Sequence, residues 1–133
     1  MTSSAFETNR PDPVSCLDRL ATSDLGRSYK RRMLDELGLR AGHRVLDLGC
    51  GPGTDLEALA QAVTPAGAVV GVDHDRNMVD AARARTAGEA VVDVRHAVEA
   101  GYFSDRAAET WLSHLTRGPF LAAVTFYIVV AET

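Results

Sequence analysis

The hydrophobic residues of this chain change period along its length, and each period predicts a different element. From Val14 to Leu37 the residues Leu17, Leu20, Leu25, Tyr29, Met33, Leu34 and Leu37 recur mostly at steps of three to five, the spacing of one or two amphipathic helices. Gly26 weakens the middle. Ser23 and Asp24 are suited to cap a second helix that runs to Leu37, and Gly38 is suited to stop it. Val45, Leu46 and Leu48 then form a short apolar run at Arg44 to Leu48, the signal of a buried strand, and Gly49, Gly51 and Gly53 end it in a turn. Leu56, Leu59, Ala60 and Val63 share one face of a helix over Asp55 to Val63, and Pro65-Ala66-Gly67 supplies the next turn. Val69-Val70-Gly71-Val72-Asp73 reads as a second strand with an acid at its end, which completes a βαβ unit. A second helix over Arg76 to Arg85 turns Met78, Val79 and Ala82 inward and Arg83 and Arg85 outward, and Thr86-Ala87-Gly88 ends it.

Beyond residue 88 the periodic signal is shorter. Glu89 to Val94 is a β-prone stretch, Arg95 to Ala100 reads as helical, and a helix is expected over Asp105 to Leu115. The run Phe120 to Ala131 is almost wholly apolar and predicts a final strand that must be covered on both faces. Residues 1–12 are polar and read as a mobile arm able to order over a ligand. The remainder, 13–133, reads as a single domain. Its first part, 13–88, holds the N-terminal helices and the βαβ half, and 89–133 holds a helix and an antiparallel strand.

Glycines at this spacing let the backbone turn sharply and approach a ligand where a Cβ would collide. An acid about twenty residues further on stands where a Rossmann-type unit accepts hydrogen bonds from ribose hydroxyls. The stretch Leu46-Asp47-Leu48-Gly49-Cys50-Gly51-Pro52-Gly53, with Gly71-Val72-Asp73, resembles motif I and the following acidic strand end of the class I methyltransferases that use S-adenosylmethionine. Its G-x-G-x-G spacing is tighter than the G-x-G-x-x-G of dinucleotide-binding dehydrogenases. The resemblance implies an α/β, Rossmann-like three-layer sandwich and S-adenosylmethionine as cofactor. It also implies a cofactor site of Asp47, Gly49, Cys50, Gly51, Gly53, Asp73 and His74. In that site Asp47 fixes the loop and approaches the methionine amino group.

The chain departs from the family in length. Such a methyltransferase continues with a third strand ending in an adenine-reading acidic loop, then a fourth and a fifth strand, whereas this sequence passes quickly to its closing helix and strand. It resembles a methyltransferase with an internal deletion near residues 88 to 92 and a sheet of reduced strand number. Two strand edges then need shelter. Either Phe120 to Val130 pairs beside Val45 to Leu48 within one chain, or two chains pair, and the apolar area left exposed otherwise favours a homodimer.

Composition narrows the partners. Across 133 residues, 14 basic and 18 acidic residues give a net charge of −4, which argues against nucleic acid. Lys30-Arg31-Arg32 reads as a solvated helix face rather than a phosphate site. Cys16 and Cys50 have no metal-ligand spacing and make no disulfide framework. No metal site, signal peptide or membrane span is expected, and a cytoplasmic location is. His43, His74, His96 and His114 are dispersed, with His74 alone beside the loop, and Tyr102, Phe103 and Trp111 read as core before cavity lining. Catalytic residues are unassigned. The function expected is methylation of a small molecule, in the manner of secondary metabolism. The alternative is a methyltransferase-derived protein that no longer methylates, acting as a cyclase in an apolar cavity or as a non-catalytic binding partner.

Overall fold

The computed structural model describes residues 12–102, 104–107, 109–110 and 128–131. The apolar pattern at the N-terminus resolves into two helices, α1 (Pro13–Thr22) and α2 (Asp24–Leu37). Each begins where a side chain takes up an orphan backbone donor. The Asp12 carboxylate accepts from Ser15 N–H at 2.9 Å, and Ser23 Oγ accepts from Gly26 N–H at 3.0 Å. Asp12 is therefore part of the helix start, while the rest of the expected arm, residues 1–11, lies outside the described residues. Gly26 explains the corner between the helices: a Cβ there would lie 2.0 Å from the Leu20 carbonyl oxygen. Gly38, left-handed at φ 55°, stops α2.

Strand β1 (Arg44–Leu48) leads through the glycine turn into α3 (Leu56–Val63), and β2 (Ala68–Asp73) leads into α4 (Arg76–Arg85) and then β3 (Val92–His96). The sheet order is β3-β2-β1-β4, with the first three strands parallel and β4 (Ile128–Ala131) antiparallel on the other edge of β1. Each parallel pair is joined by a helix, as the geometry of such a crossover requires. The result is a Rossmann-like α/β arrangement of reduced strand number. One apolar cluster joins Val45, Val69 and Val94 of the sheet to Leu56, Leu59, Val63, Val79 and Ala82 of α3 and α4, with Leu34 and Leu37 of α2 packed against it. The strand residues that alternate with these, Leu46 and Val70, are half-buried, and Leu48 is exposed. No described helix is long and apolar enough to cross a membrane.

Four sequence expectations need correction or restriction. Arg95 to Ala100 is not a helix: Arg95 and His96 finish β3, and residues 97–100 form a turn. Alternation decides this, because Val94 and His96 are buried while Asp93 and Arg95 are exposed, and the backbone pairs Val72 with Arg95 and Asp73 with His96. Tyr102 is not core. It is exposed, and its hydroxyl accepts from Arg95 Nη1 at 2.9 Å; Phe103 and Trp111 lie outside the described residues. Of the final run only residues 128–131 are described, and they pair with β1 in the register Val45 to Val130 and Leu46 to Val129. This is the internal arrangement, so the β1 edge that motivated pairing of two chains is occupied. Residues 105–107 and 109–110 are helical, and 111–115 lie outside the described residues.

The core sets the expected cost of truncation. Leu59 is fully buried between α3 and the sheet, so Leu59→Ala should lower stability by about 2–5 kcal/mol. Exchanging the largely exposed Leu25 for Ala should change it by no more than about 0.5 kcal/mol. Urea unfolding of the two variants checks the contrast, and equal losses would refute it.

Candidate functional site

The glycine turn is held by the end of β2. Gly49 N–H and Cys50 N–H both donate to the Val72 carbonyl, at 2.7 and 3.0 Å. Gly51 N–H donates to Asp73 Oδ2 at 2.9 Å, and the other oxygen of Asp73 accepts from Asp75 N–H at 2.9 Å. Gly49, Gly51 and Gly53 all have positive φ, at 72°, 55° and 79°, a conformation that L side chains resist. Gly53 carries a second constraint, since a Cβ there would lie 3.0 Å from Ala82 Cβ and press on α4. The turn, Asp73 and the start of α4 thus form one connected unit at the C-terminal ends of the parallel strands, where open α/β sheets place their ligands.

A cavity of about 160 Å³ opens between this turn and the pair α1–α2. Its apolar wall is Leu17, Leu20, Ala21, Tyr29 and Met33 from the helices, and its polar side is Asp47, Thr54, Asp55 and Lys30. Gly49, Cys50 and Gly51 form the floor. The sequence-derived set is therefore divided. Asp47, Gly49, Cys50 and Gly51 line the cavity, whereas Gly53, Asp73 and His74 stand behind the turn or beside it. His74 is half-exposed, with Nδ1 3.5 Å from Asp73 Oδ1.

Lys30 was read as part of a solvated helix face, and the structure overturns this. Its ammonium donates to Thr54 Oγ1 at 2.8 Å and pairs with Asp55 across the cavity. A signal was present in the sequence, because Gly26, Lys30, Met33 and Leu37 follow one another at steps of four, three and four along one face of α2. Asp55 stands at the N-cap of α3 without capping it, its carboxylate being engaged by Lys30. His96 was also missed. It is buried at the end of β3, where Nε2 meets the His74 carbonyl at 2.9 Å and Nδ1 accepts from Glu99 N–H at 3.4 Å, bracing the segment after β2.

Asp47 dominates the electrostatics of the cavity. Burial, and then the charge of Asp55, pushes its carboxyl from 3.8 up to about 6, Lys30 opposes the shift, and Asp73 adds to it. The same burial, with Asp47 and Asp73 nearby, pushes the Cys50 thiol up to about 12. Cys50 is then a protonated packing group and not a nucleophile. Among the described residues no group of three or more His, Cys, Asp or Glu side chains could hold a metal ion.

Comparison with known proteins assigns the chain to a family. Residues 45–117, more than half of the chain, match the sequence model of the family described as methyltransferase domain. The chain belongs to that family. An uncharacterized 37.1 kDa protein in transposon TN4556 of Streptomyces fradiae is 56% identical over 89 residues, which cover 67% of this chain and 26% of that protein. Demethylmenaquinone methyltransferase of Staphylococcus aureus is 31% identical over 80 residues, covering 60% of this chain and 33% of that enzyme. The crystal structure of a SAM-dependent methyltransferase from Aquifex aeolicus superposes with a TM-score of 0.51 at 32% identity, over 62% of this chain and 44% of that one. The chain thus spans about a quarter to a third of the length of the curated relatives it matches.

The shift at Asp47 has a definite sign. Its folded-state value lies above the unfolded one, so between pH 3.8 and about 6 the unfolded chain gives up the proton first. Stability contributed by the protonated group is whole at low pH and is lost as pH rises through this window, by on the order of 3 kcal/mol once complete. Asp47→Asn should accordingly be more stable than the parent at pH 7.5, with the gap closing at pH 4. Melting curves at the two pH values test this, and a gap independent of pH would refute it.

Proposed function

We propose that this methyltransferase-family chain forms the S-adenosylmethionine-binding part of an enzyme that methylates a small molecule. The observation that carries the reading is Asp47, a carboxylate held away from water in a glycine-lined cavity, where the one cation among the described lining residues, Lys30, is already engaged by Asp55. Such a group gains most from a cationic ligand. The residues present fit the cofactor. Asp47 would take its ammonium group, Gly49 and Gly51 would leave room for close approach of its main chain, and Asp73 would use its remaining lone pairs toward the ribose hydroxyls. When bound, S-adenosylmethionine supplies an electrophilic methyl group on a sulfonium.

What the chain itself does is bind, orient and keep out water. Leu17, Leu20, Tyr29 and Met33 offer an apolar wall over which a small acceptor can lie, and in-line placement is the main requirement of methyl transfer. The Aquifex aeolicus relative, described as SAM dependent, supports the cofactor assignment. Homodimer formation is part of the same proposal. With β4 on β1, its remaining support is the half-buried and exposed apolar row Leu46, Val70 and Leu48 on the sheet face opposite the core cluster.

Titration calorimetry with S-adenosylmethionine should show saturable binding that Asp73→Ala weakens by about 1.5–3 kcal/mol, through lost charge-assisted hydrogen bonds. Absence of binding by the parent chain would favour the reading in which the fold is kept and methylation is lost. Affinity should also fall as pH drops below the value of about 6 at which Asp47 takes up a proton, by up to about tenfold per pH unit. For the dimer, light scattering over serial dilution should show a mass that falls toward the monomer, and a monomer at every concentration would exclude it.

A further inference from the structure

The apolar wall of the cavity is held in place by few contacts of its own. Helix α2 packs Leu34 and Leu37 against the core, but α1 fully buries no side chain, yet Leu17, Leu20 and Ala21 of α1 make one side of the cavity. Packing alone does not fix how far that side stands from the glycine turn.

Arg85, the last residue of α4, lies where the two meet. Its Nε donates to the Pro52 carbonyl in the glycine turn at 2.9 Å, and its Nη2 pairs with the Asp18 carboxylate of α1. Sequence periodicity turns this residue outward, and it is exposed, with both partners met at the surface. Arg83, expected outward as well, is exposed and donates to the Val94 carbonyl at 3.1 Å. A guanidinium is a rigid planar fork, so two partners held by different nitrogens are held at a fixed separation. One partner, Pro52, lines the cavity in the glycine turn, and the other, Asp18, stands on the helix whose Leu17, Leu20 and Ala21 make the wall. At the other end of the wall Lys30 makes the equivalent connection, from α2 to Thr54 and Asp55.

The Arg85–Asp18 pair is more than a third exposed on both sides, and such pairs add little to global stability. Its effect is geometric. We propose that Arg85 is a positioning residue of the cavity: by clamping α1 to the glycine turn it sets the spacing in which a ligand is enclosed. The clamp stands on the contacts alone, and its consequence for ligand affinity rests on the proposed cofactor reading.

Hydrogen exchange and calorimetry with S-adenosylhomocysteine on the full chain test both parts. Arg85→Met should speed amide exchange in residues 13–22 and 49–54 and weaken S-adenosylhomocysteine binding about five- to tenfold, while unfolding stability changes little. Asp18→Asn should loosen residues 13–22 and leave 49–54 protected. Arg85→Lys keeps the charge but reaches one partner at a time, so it should restore only one of the two segments. Unchanged exchange in residues 13–22 of Arg85→Met would overturn the clamp. Faster exchange with unchanged affinity would overturn the positioning role. Should the parent chain take up no S-adenosylhomocysteine, the cofactor reading fails by itself, and the exchange pattern still decides whether the clamp exists.

Discussion

The end of β2 is the constraint from which the rest of the site follows. Three successive amides of the glycine turn have to leave the sheet without the ladder partners a strand would give them, and a buried amide left unpaired is costly. Val72 and Asp73 supply the missing acceptors: one carbonyl takes Gly49 and Cys50, and one carboxylate oxygen takes Gly51. The other oxygen of Asp73 holds the amide of Asp75, which in turn caps α4 through its own side chain at Asn77. A single carboxylate therefore ties the loop after β1 to the helix after β2. The same arrangement favours glycine at two of these positions, since Gly49 and Gly51 make their bonds with φ in the left-handed region.

Asp47 is the counterpart of this economy. The strand that begins the turn buries Val45 and Asp47 on the same side, as the pleat requires. One position serves the core and the other brings a carboxylate to the cavity floor. Desolvation then raises its affinity for protons, and Asp55 nearby raises it further. Lys30 relieves part of this from α2, but it is already engaged by Asp55 and Thr54. The balance leaves the floor short of positive charge. A site in that condition selects a cationic group over a neutral or anionic one, because the cation recovers solvation that the fold has taken away.

Much of the fold was legible because it is written in local period. The helix over Arg76 to Arg85 and the strand over Arg44 to Leu48 have the bounds their patterns predict. Ser23 and Gly38 act at the ends of α2 as their chemistry suggests. What failed was of another kind. Arg95 and His96 belong to a strand because β2 offers them a ladder, and a polar pair of residues carries no such information alone. Lys30 looks like a surface cation in sequence and is half-buried, and Arg85 is exposed as expected, but each acquires a partner 25 or 67 residues distant that only the crossing of helices over the turn brings near. Site residues fixed by the backbone of one βαβ unit could be read; those that depend on how α1 and α2 lie over it could not.

The position of β4 decides what the sheet supplies to this site. In a parallel sheet each further strand needs a crossover helix, which takes a dozen or more residues and covers a face. An antiparallel strand needs neither, and β4 reaches β1 from the opposite direction, pairing Asp47 with Ile128 and Arg44 with Ala131. Its pairing satisfies the outer backbone edge of the strand that carries Asp47. It supplies no helix for the face where Leu48 is exposed. The hydrogen-bonding requirement of β1 is thereby met while its hydrophobic requirement on that face is not, among the described residues. The glycine turn depends on the first of these and is indifferent to the second, since the amides of Gly49, Cys50 and Gly51 are held by β2 and the Pro52 carbonyl by α4. The cavity built on this turn therefore does not depend on cover over the face where Leu48 is exposed.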